Sequence, residues 1–266
     1  MNFNKIIQYK NAAIHYRVSG KGPFVFLVHG FAEDGTIWDN IASTLENNYT
    51  VIIPHLPGSG PSQLLPGKAS IEDYANCLHE IFIRENIEKT VLLGHSMGGY
   101  ISLAFAEKYP GKLSALGLFH SSAFADDDEK IASRRKAIGV MNEKGAMIFL
   151  KTAIPGLFYD KEKSKTDIET LIEKGKSFSA AALVQYYEAM INRPDRTTIL
   201  KNLRIPVLLV LGKYDPAVPL EQGLKQTHMA DTTYVHILKD SAHMGMLEEA
   251  SFSTNILVKF LHSLHA

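Results

Sequence analysis

Apolar residues in this chain are bunched rather than scattered. Phe24-Val25-Phe26-Leu27-Val28, Val51-Ile52-Ile53, Val91-Leu92-Leu93 and Val207-Leu208-Leu209-Val210-Leu211 are continuous runs, the pattern of strands covered on both faces in a parallel sheet. Lys5–Tyr9 and residues 12–18 alternate instead, about a turn at Lys10-Asn11, which predicts a short antiparallel pair at a sheet edge. Residues 70–85 carry apolar side chains at helical spacing behind Ser70-x-x-Asp73, a capping-box pattern. A strand over 90–93, a helix over Met97–Lys108 and a strand over Leu113–Phe119 follow. Strand signals return at 206–211 and 234–238, and an amphipathic helix is expected over 247–264. Strands alternating with helices predict an α/β fold with a mostly parallel sheet and helices on both faces.

The alternation stops after Phe119. Residues 121–202 offer only helical patterns, over 131–141, 146–152, 165–174 and 180–191. The expected organisation is one core built from 1–120 and 203–266, with 121–202 as a helical insertion between two parts of the sheet. The charged clusters Asp126-Asp127-Asp128-Glu129 and Lys161-Glu162-Lys163 within it are read as solvated surface.

Composition narrows the partners. Lys+Arg and Asp+Glu balance at 28 each in 266 residues, so no basic face calls for nucleic acid, and a small molecule is the expected partner. Cys77 is the single cysteine, which rules out an internal disulfide and fits a reducing compartment. It falls among Ile71, Tyr74, Ala75, Leu78, Ile81 and Phe82 and is read as packing. Met1-Asn2-Phe3-Asn4-Lys5 lacks the apolar core of a signal peptide, and no apolar stretch reaches membrane-spanning length. A cytoplasmic protein without a membrane partner is therefore expected, with its oligomeric state left open.

Chemistry concentrates at Gly94-His95-Ser96-Met97-Gly98-Gly99, between a buried strand and a helix. A strand that turns into a helix through Gly-x-Ser-x-Gly puts the serine in a strained bend with its hydroxyl raised, and glycines there leave room for crossing backbones. Glycines also punctuate strand-to-helix turns that do no chemistry. A serine hydroxyl is a weak nucleophile unless a histidine takes its proton and a carboxylate orients that histidine. Asp215, in Gly212-Lys213-Tyr214-Asp215-Pro216, and His243, in Asp240-Ser241-Ala242-His243-Met244-Gly245, each follow a predicted strand. In a parallel sheet such loops converge on one edge.

With His29-Gly30-Phe31, these motifs stand in the order of the α/β-hydrolase superfamily, which the chain resembles over essentially its whole length. The resemblance implies an eight-stranded, mostly parallel sheet and a cap formed by 121–202. It implies a Ser96, Asp215, His243 triad, with the backbone N–H groups of Phe31 and Met97 as the oxyanion hole. Phe31, Phe124 and Met244 are candidates to line the substrate pocket; the aromatics of the insertion, Phe124, Phe149, Phe158, Tyr186 and Tyr187, are each read first as core or cap packing, with one or two of them lining the pocket. Some relatives carry the acid after the preceding strand, which would nominate Asp126. His55 stands where related sequences commonly have aspartate, a departure that bears on local hydrogen bonding.

His29 and His95 are read as structural hydrogen-bonding groups at the floor of the site, and His120, at the entry to the insertion, as a hinge or surface residue before a substrate-contacting one. His15, His79, His228, His236, His262 and His265 lack ligand spacing, so no metal and no cofactor are expected. The expected activity is hydrolysis of a small, largely apolar carboxylic ester or lactone through an acyl-enzyme. The open alternatives are C–C bond or amide hydrolysis by the same triad, and a ligand receptor built on a hydrolase site. A serine at position 96 argues against a haloalkane dehalogenase, which would require aspartate there.

Overall fold

A computed structural model describes residues 5–264. Residues 1–4, on which the signal-peptide reading rests, and His265 lie outside the described residues. The strands are β1 (Lys5–Tyr9), β2 (Ala12–Gly20), β3 (Phe24–Val28), β4 (Thr50–Pro54), β5 (Thr90–His95), β6 (Leu113–Phe119), β7 (Val207–Gly212) and β8 (Thr233–Leu238). They form one eight-stranded sheet in the order β1-β2-β4-β3-β5-β6-β7-β8. β2 runs antiparallel to both β1 and β4, while β4-β3-β5-β6-β7-β8 are parallel.

The order reverses at β3. The chain leaves β3 for β4 on one side and returns to β5 on the other, so the loops after β3 and β5 open side by side at the carboxyl edge. This is where open α/β sheets place their ligands. Helices α1 (Asp39–Leu45), α2 (Ile71–Arg84) and α3 (Met97–Lys108) lie within the first part of the sheet. α2 opens on the expected capping box, with Ser70 Oγ and the Asp73 carboxylate each taking the other's backbone N–H. α2 packs on α3, and α1 packs on a distant C-terminal helix, residues 250–263. Every residue of β5 and β7 is buried, as the unbroken apolar runs require.

Between β6 and β7 every regular element of the described chain is helical: α4 (Asp128–Lys144), α5 (Ala146–Ala153), a 3-10 turn (Ile154–Leu157), α6 (Lys165–Gly175), α7 (Ala180–Ile191) and α8 (Thr197–Asn202). α9 (Leu220–Leu224) follows β7. The helix expected over 247–264 is two, α10 (Gly245–Glu248) and α11 (Ala250–Ser263). They part at Glu249, whose backbone leaves helical geometry at φ −126°, ψ 52°. Its side chain is tied back to the preceding turn, accepting from Asp240 N at 3.0 Å and Ser241 Oγ at 2.7 Å. Among the described residues no helix is long and apolar enough to cross a membrane.

Candidate active site

Ser96 sits between β5 and α3 at φ 50°, ψ −115°, a strained conformation for a residue with a side chain. The bend depends on two glycines. A Cβ on Gly94 would lie 2.2 Å from the Gly98 carbonyl oxygen, and one on Gly98 would lie 2.4 Å from that of Val28. Two further positive-φ residues, Ala32 at 56° and His120 at 48°, stand in the loops after β3 and β6. Three neighbouring strands thus end in strained backbone around one point.

Met97 opens α3, so its N–H belongs to the unpaired first turn of the helix, where the dipole favours negative charge. The N–H groups of Phe31 and Met97, the expected oxyanion donors, have no acceptor among the described residues. The Phe31 loop is fixed from below by Glu33, a residue that sequence reasoning missed. Its Oε2 accepts from Gly30 N at 2.7 Å, and its carboxylate faces His95 Nδ1 at 2.9–3.0 Å. The other nitrogen of His95 meets the His243 carbonyl oxygen at 3.0 Å. Facing the Glu33 carboxylate on one side and a carbonyl on the other, this imidazole has the surroundings that favour a doubly protonated ring. Burial opposes that charge, and the Glu33 carboxylate overcomes it, raising His95 above its ordinary value. Burial likewise opposes ionisation of Glu33, but facing His95 lowers it.

His29 is the opposite case. Its Nδ1 donates to the Gly30 carbonyl at 2.9 Å, and its Nε2 accepts from Leu56 N at 2.9 Å beside Ser59 Oγ at 3.0 Å. A ring that must accept is neutral, and burial lowers its pKa accordingly. Both residues hold the floor by hydrogen bonds, as expected. At the departure from relatives, His55 Nδ1 accepts from Gly35 N at 3.2 Å.

Asp215 and His243 meet. His243 Nδ1 lies 2.8 and 3.0 Å from the two Asp215 oxygens. Asp215 Oδ1 also accepts from Ala217 N at 2.8 Å and Val218 N at 2.9 Å. Burial pushes the Asp215 carboxyl upward, but the facing imidazoles of His243 and His120 outweigh it and hold the group well below the carboxylate range. Ser96 Oγ makes no hydrogen bond to His243 among the described residues; catalytic contacts of this kind tighten when substrate binds.

His120 is not a surface residue. It is fully buried with Nδ1 3.0 Å from Asp215 Oδ2. Its sequence position, first after a strand, was the only available signal. His120, Asp215 and His243 bring ligand atoms within 4.8 Å of one another, the donor types of a divalent-cation site. Here both imidazole Nδ1 atoms are engaged with the carboxylate.

The His243 backbone is held as firmly as its ring. Its N–H donates to the Leu157 carbonyl of the insertion at 2.9 Å. Glu248 accepts from the flanking Ala242 N at 2.9 Å and Met244 N at 3.3 Å, and from Tyr159 N of the insertion at 2.7 Å.

An apolar cavity of about 80 Å³ lies under the insertion, lined by Phe31 and Met244 on the core side and by Leu150, Ile154, Leu157 and Tyr187 on the other. Tyr187 stacks on Phe31, centroids 4.2 Å apart. Phe31 and Met244 are placed as pocket candidates; Phe124 lies elsewhere, at the start of the insertion. Asp126 is not solvated surface, because its side chain is wholly buried between Arg134 Nε at 2.7 Å and Arg193 at 3.0 Å. Two guanidiniums and no imidazole face it, so it is not placed as the triad acid.

The fold is that of the α/β-hydrolases. A family model described as the alpha/beta hydrolase fold matches residues 23–138. A thermophilic esterase from Thermogutta terrifontis, solved with malate bound, superposes with a TM-score of 0.91 at 29% identity, covering 96% of this chain and 95% of that one. A pimeloyl-[acyl-carrier protein] methyl ester esterase of Pseudoalteromonas atlantica is 28% identical over 85% of this chain and 90% of its own. A 2-hydroxy-6-oxononadienedioate/2-hydroxy-6-oxononatrienedioate hydrolase of Escherichia coli is 24% identical over 95% of this chain and 92% of its own. The chain has the α/β-hydrolase fold and is a hydrolase.

Proposed function

We propose that the protein is a serine hydrolase of small, largely apolar carboxylic esters or lactones, acting through Ser96, His243 and Asp215. The observation that carries this is Ser96 on its strained elbow, beside the unengaged N–H groups of Phe31 and Met97 and the Asp215–His243 pair. With Nδ1–H fixed on Asp215, neutral His243 presents Nε2 as the base. It takes the Ser96 proton as Oγ attacks the carbonyl carbon, and the two N–H groups receive the oxyanion. The proton passes to the leaving alcohol, and a water activated by the same histidine releases the acid.

The cavity supports a short apolar group at the reacting carbonyl. At about 80 Å³ it is roughly half the size of one that admits benzene, room for about three or four carbons. Esterases named among the similar proteins support ester chemistry.

The test pairs fluorophosphonate labelling with a panel of aryl esters of increasing acyl length. Labelling at Ser96, loss of turnover in Ser96→Ala by about 10³-fold or more, and a rate that falls beyond butyrate are expected. Full activity in Ser96→Ala would falsify the assignment.

A further inference from the structure

Asp215 faces two histidines, and only one of them, His243, is assigned above as the base. His120 occupies a slot shaped for an imidazole: a Cβ on Gly212 would lie 2.8 Å from its Cε1, and one on Gly245 would lie 2.5 Å from its Nε2. The residue bears two costs. Its backbone is in the left-handed region at φ 48°, and its buried Nε2 has no hydrogen-bond partner among the described residues. An apolar side chain of similar size would leave no orphaned nitrogen. What it would lack is the Nδ1–H on Asp215.

With no acceptor or counter-ion at Nε2, His120 is neutral, and burial lowers its pKa to about 4. Its donor is therefore present throughout the range in which a histidine base works. A carboxylate that already accepts this bond has less negative potential to offer a second imidazole, since hydrogen bonds to a charged form stabilise that form where it stands.

We propose that His120 is a positioning residue that divides the Asp215 carboxylate between two imidazoles, and so carries the acid limb of catalysis to lower pH. The proposal rests on the triad reading above. The groups around the His243 imidazole are Asp215 after β7, His120 after β6 at 5.7 Å between centroids, and His95 at the end of β5 at 4.9 Å. Glu33 after β3 lies behind His95, and Glu248 of α10 holds the amides on either side of His243. Of these, only His120 and His243 share an acceptor oxygen, Asp215 Oδ2.

The experiment is the second-order rate of inactivation by a fluorophosphonate as a function of pH. Ser96 Oγ bonds to phosphorus, fluoride leaves and the serine proton passes to His243, so the rate reads the activated serine without a known substrate. His120→Asn places an amide N–H where Nδ1 stood, whereas His120→Leu fills the slot without a donor. Wild type and His120→Asn should share one acid limb. In His120→Leu the limb should move up by about one pH unit, a roughly tenfold lower rate on the acid side, with the alkaline plateau within about threefold.

Coincident limbs in wild type and His120→Leu, or an equal loss at every pH, would overturn the proposal. If His120→Leu does not fold, His120→Gln replaces it, since its amide lies at the Nε2 position and leaves Asp215 without the donor. Its limb should move as stated for leucine, and a limb coincident with wild type sinks the idea. Failure of the parent reading looks different: wild type is then not labelled at Ser96 at all, and the role of His120 falls with it.

Discussion

His95 and His120 occupy matching places. One ends β5 and the other follows β6, both are wholly buried, and both present Nδ1 to a carboxylate. Their second nitrogens differ. His95 Nε2 meets the carbonyl oxygen of His243, which favours a second proton on the ring, while His120 Nε2 meets nothing that accepts. Burial is equal in the two and does not decide their charge. The second neighbour does. One site therefore contains a ring whose charge is favoured by its own carboxylate, Glu33, and a neutral donor that shares the Asp215 carboxylate with His243.

The comparison breaks most completely at Asp215, the acid that the two sides do not share. Asp215→Asn should lower kcat/KM on an aryl ester by about 10⁴-fold, because the amide no longer holds His243 in the tautomer that leaves Nε2 bare. A loss within tenfold would show that the carboxylate does not orient the base.

Next in size is Glu33→Gln. If His95 is an imidazolium, this leaves a buried charge unpaired and should cost about 3–5 kcal/mol in urea unfolding. A neutral His95 would lose one ordinary hydrogen bond, about 1–2 kcal/mol. The measured value chooses between the two protonation states.

The smallest effect separates the histidines by pH. A ring held neutral in the fold binds a proton only after unfolding, so His120, with a folded value of about 4, removes stability as pH falls from about 6.5. At pH 5 its share is roughly 2 kcal/mol. His29 and His55, both lowered chiefly by burial, act in the same direction. His95, whose folded value is raised, acts in reverse: its contribution is complete below about pH 6.5 and is lost as pH rises through that folded value. The Tm of His120→Asn should therefore fall less than that of wild type between pH 7 and 5. Parallel melting curves would mean that His120 is protonated in the fold.

Much of the catalytic edge is legible in the linear chain, since its positions depend on local rules. Unbroken apolar runs mark β3, β5 and β7, and Gly94 and Gly98 mark the bend at Ser96. Asp215 and His243 follow strands directly. Glu33 carries no such mark, being one of 28 acidic residues, and its burial depends on β3 and β5 being neighbours across the reversal in strand order. Asp126 sits in an acidic run that looks solvated, and only the return of Arg193 from the end of α7 encloses it. His120 needed Gly212 and Gly245, from two distant segments, to define its slot. Glu249 reads as a helical residue until its bond to Ser241 breaks the helix there. The helices of the insertion were readable from their period, but not the faces they turn to Phe31, because α4 buries only Met141 fully.

The hydrogen bond from His243 N to the Leu157 carbonyl sets a condition on any attempt to exchange specificity between proteins of this kind. Splicing a foreign segment in at 121 and 202 would transplant more than a pocket wall. The graft must arrive with a carbonyl in register at 157 and an amide at 159 for Glu248. Otherwise the recipient acquires a new cavity and loses the anchorage of its own base.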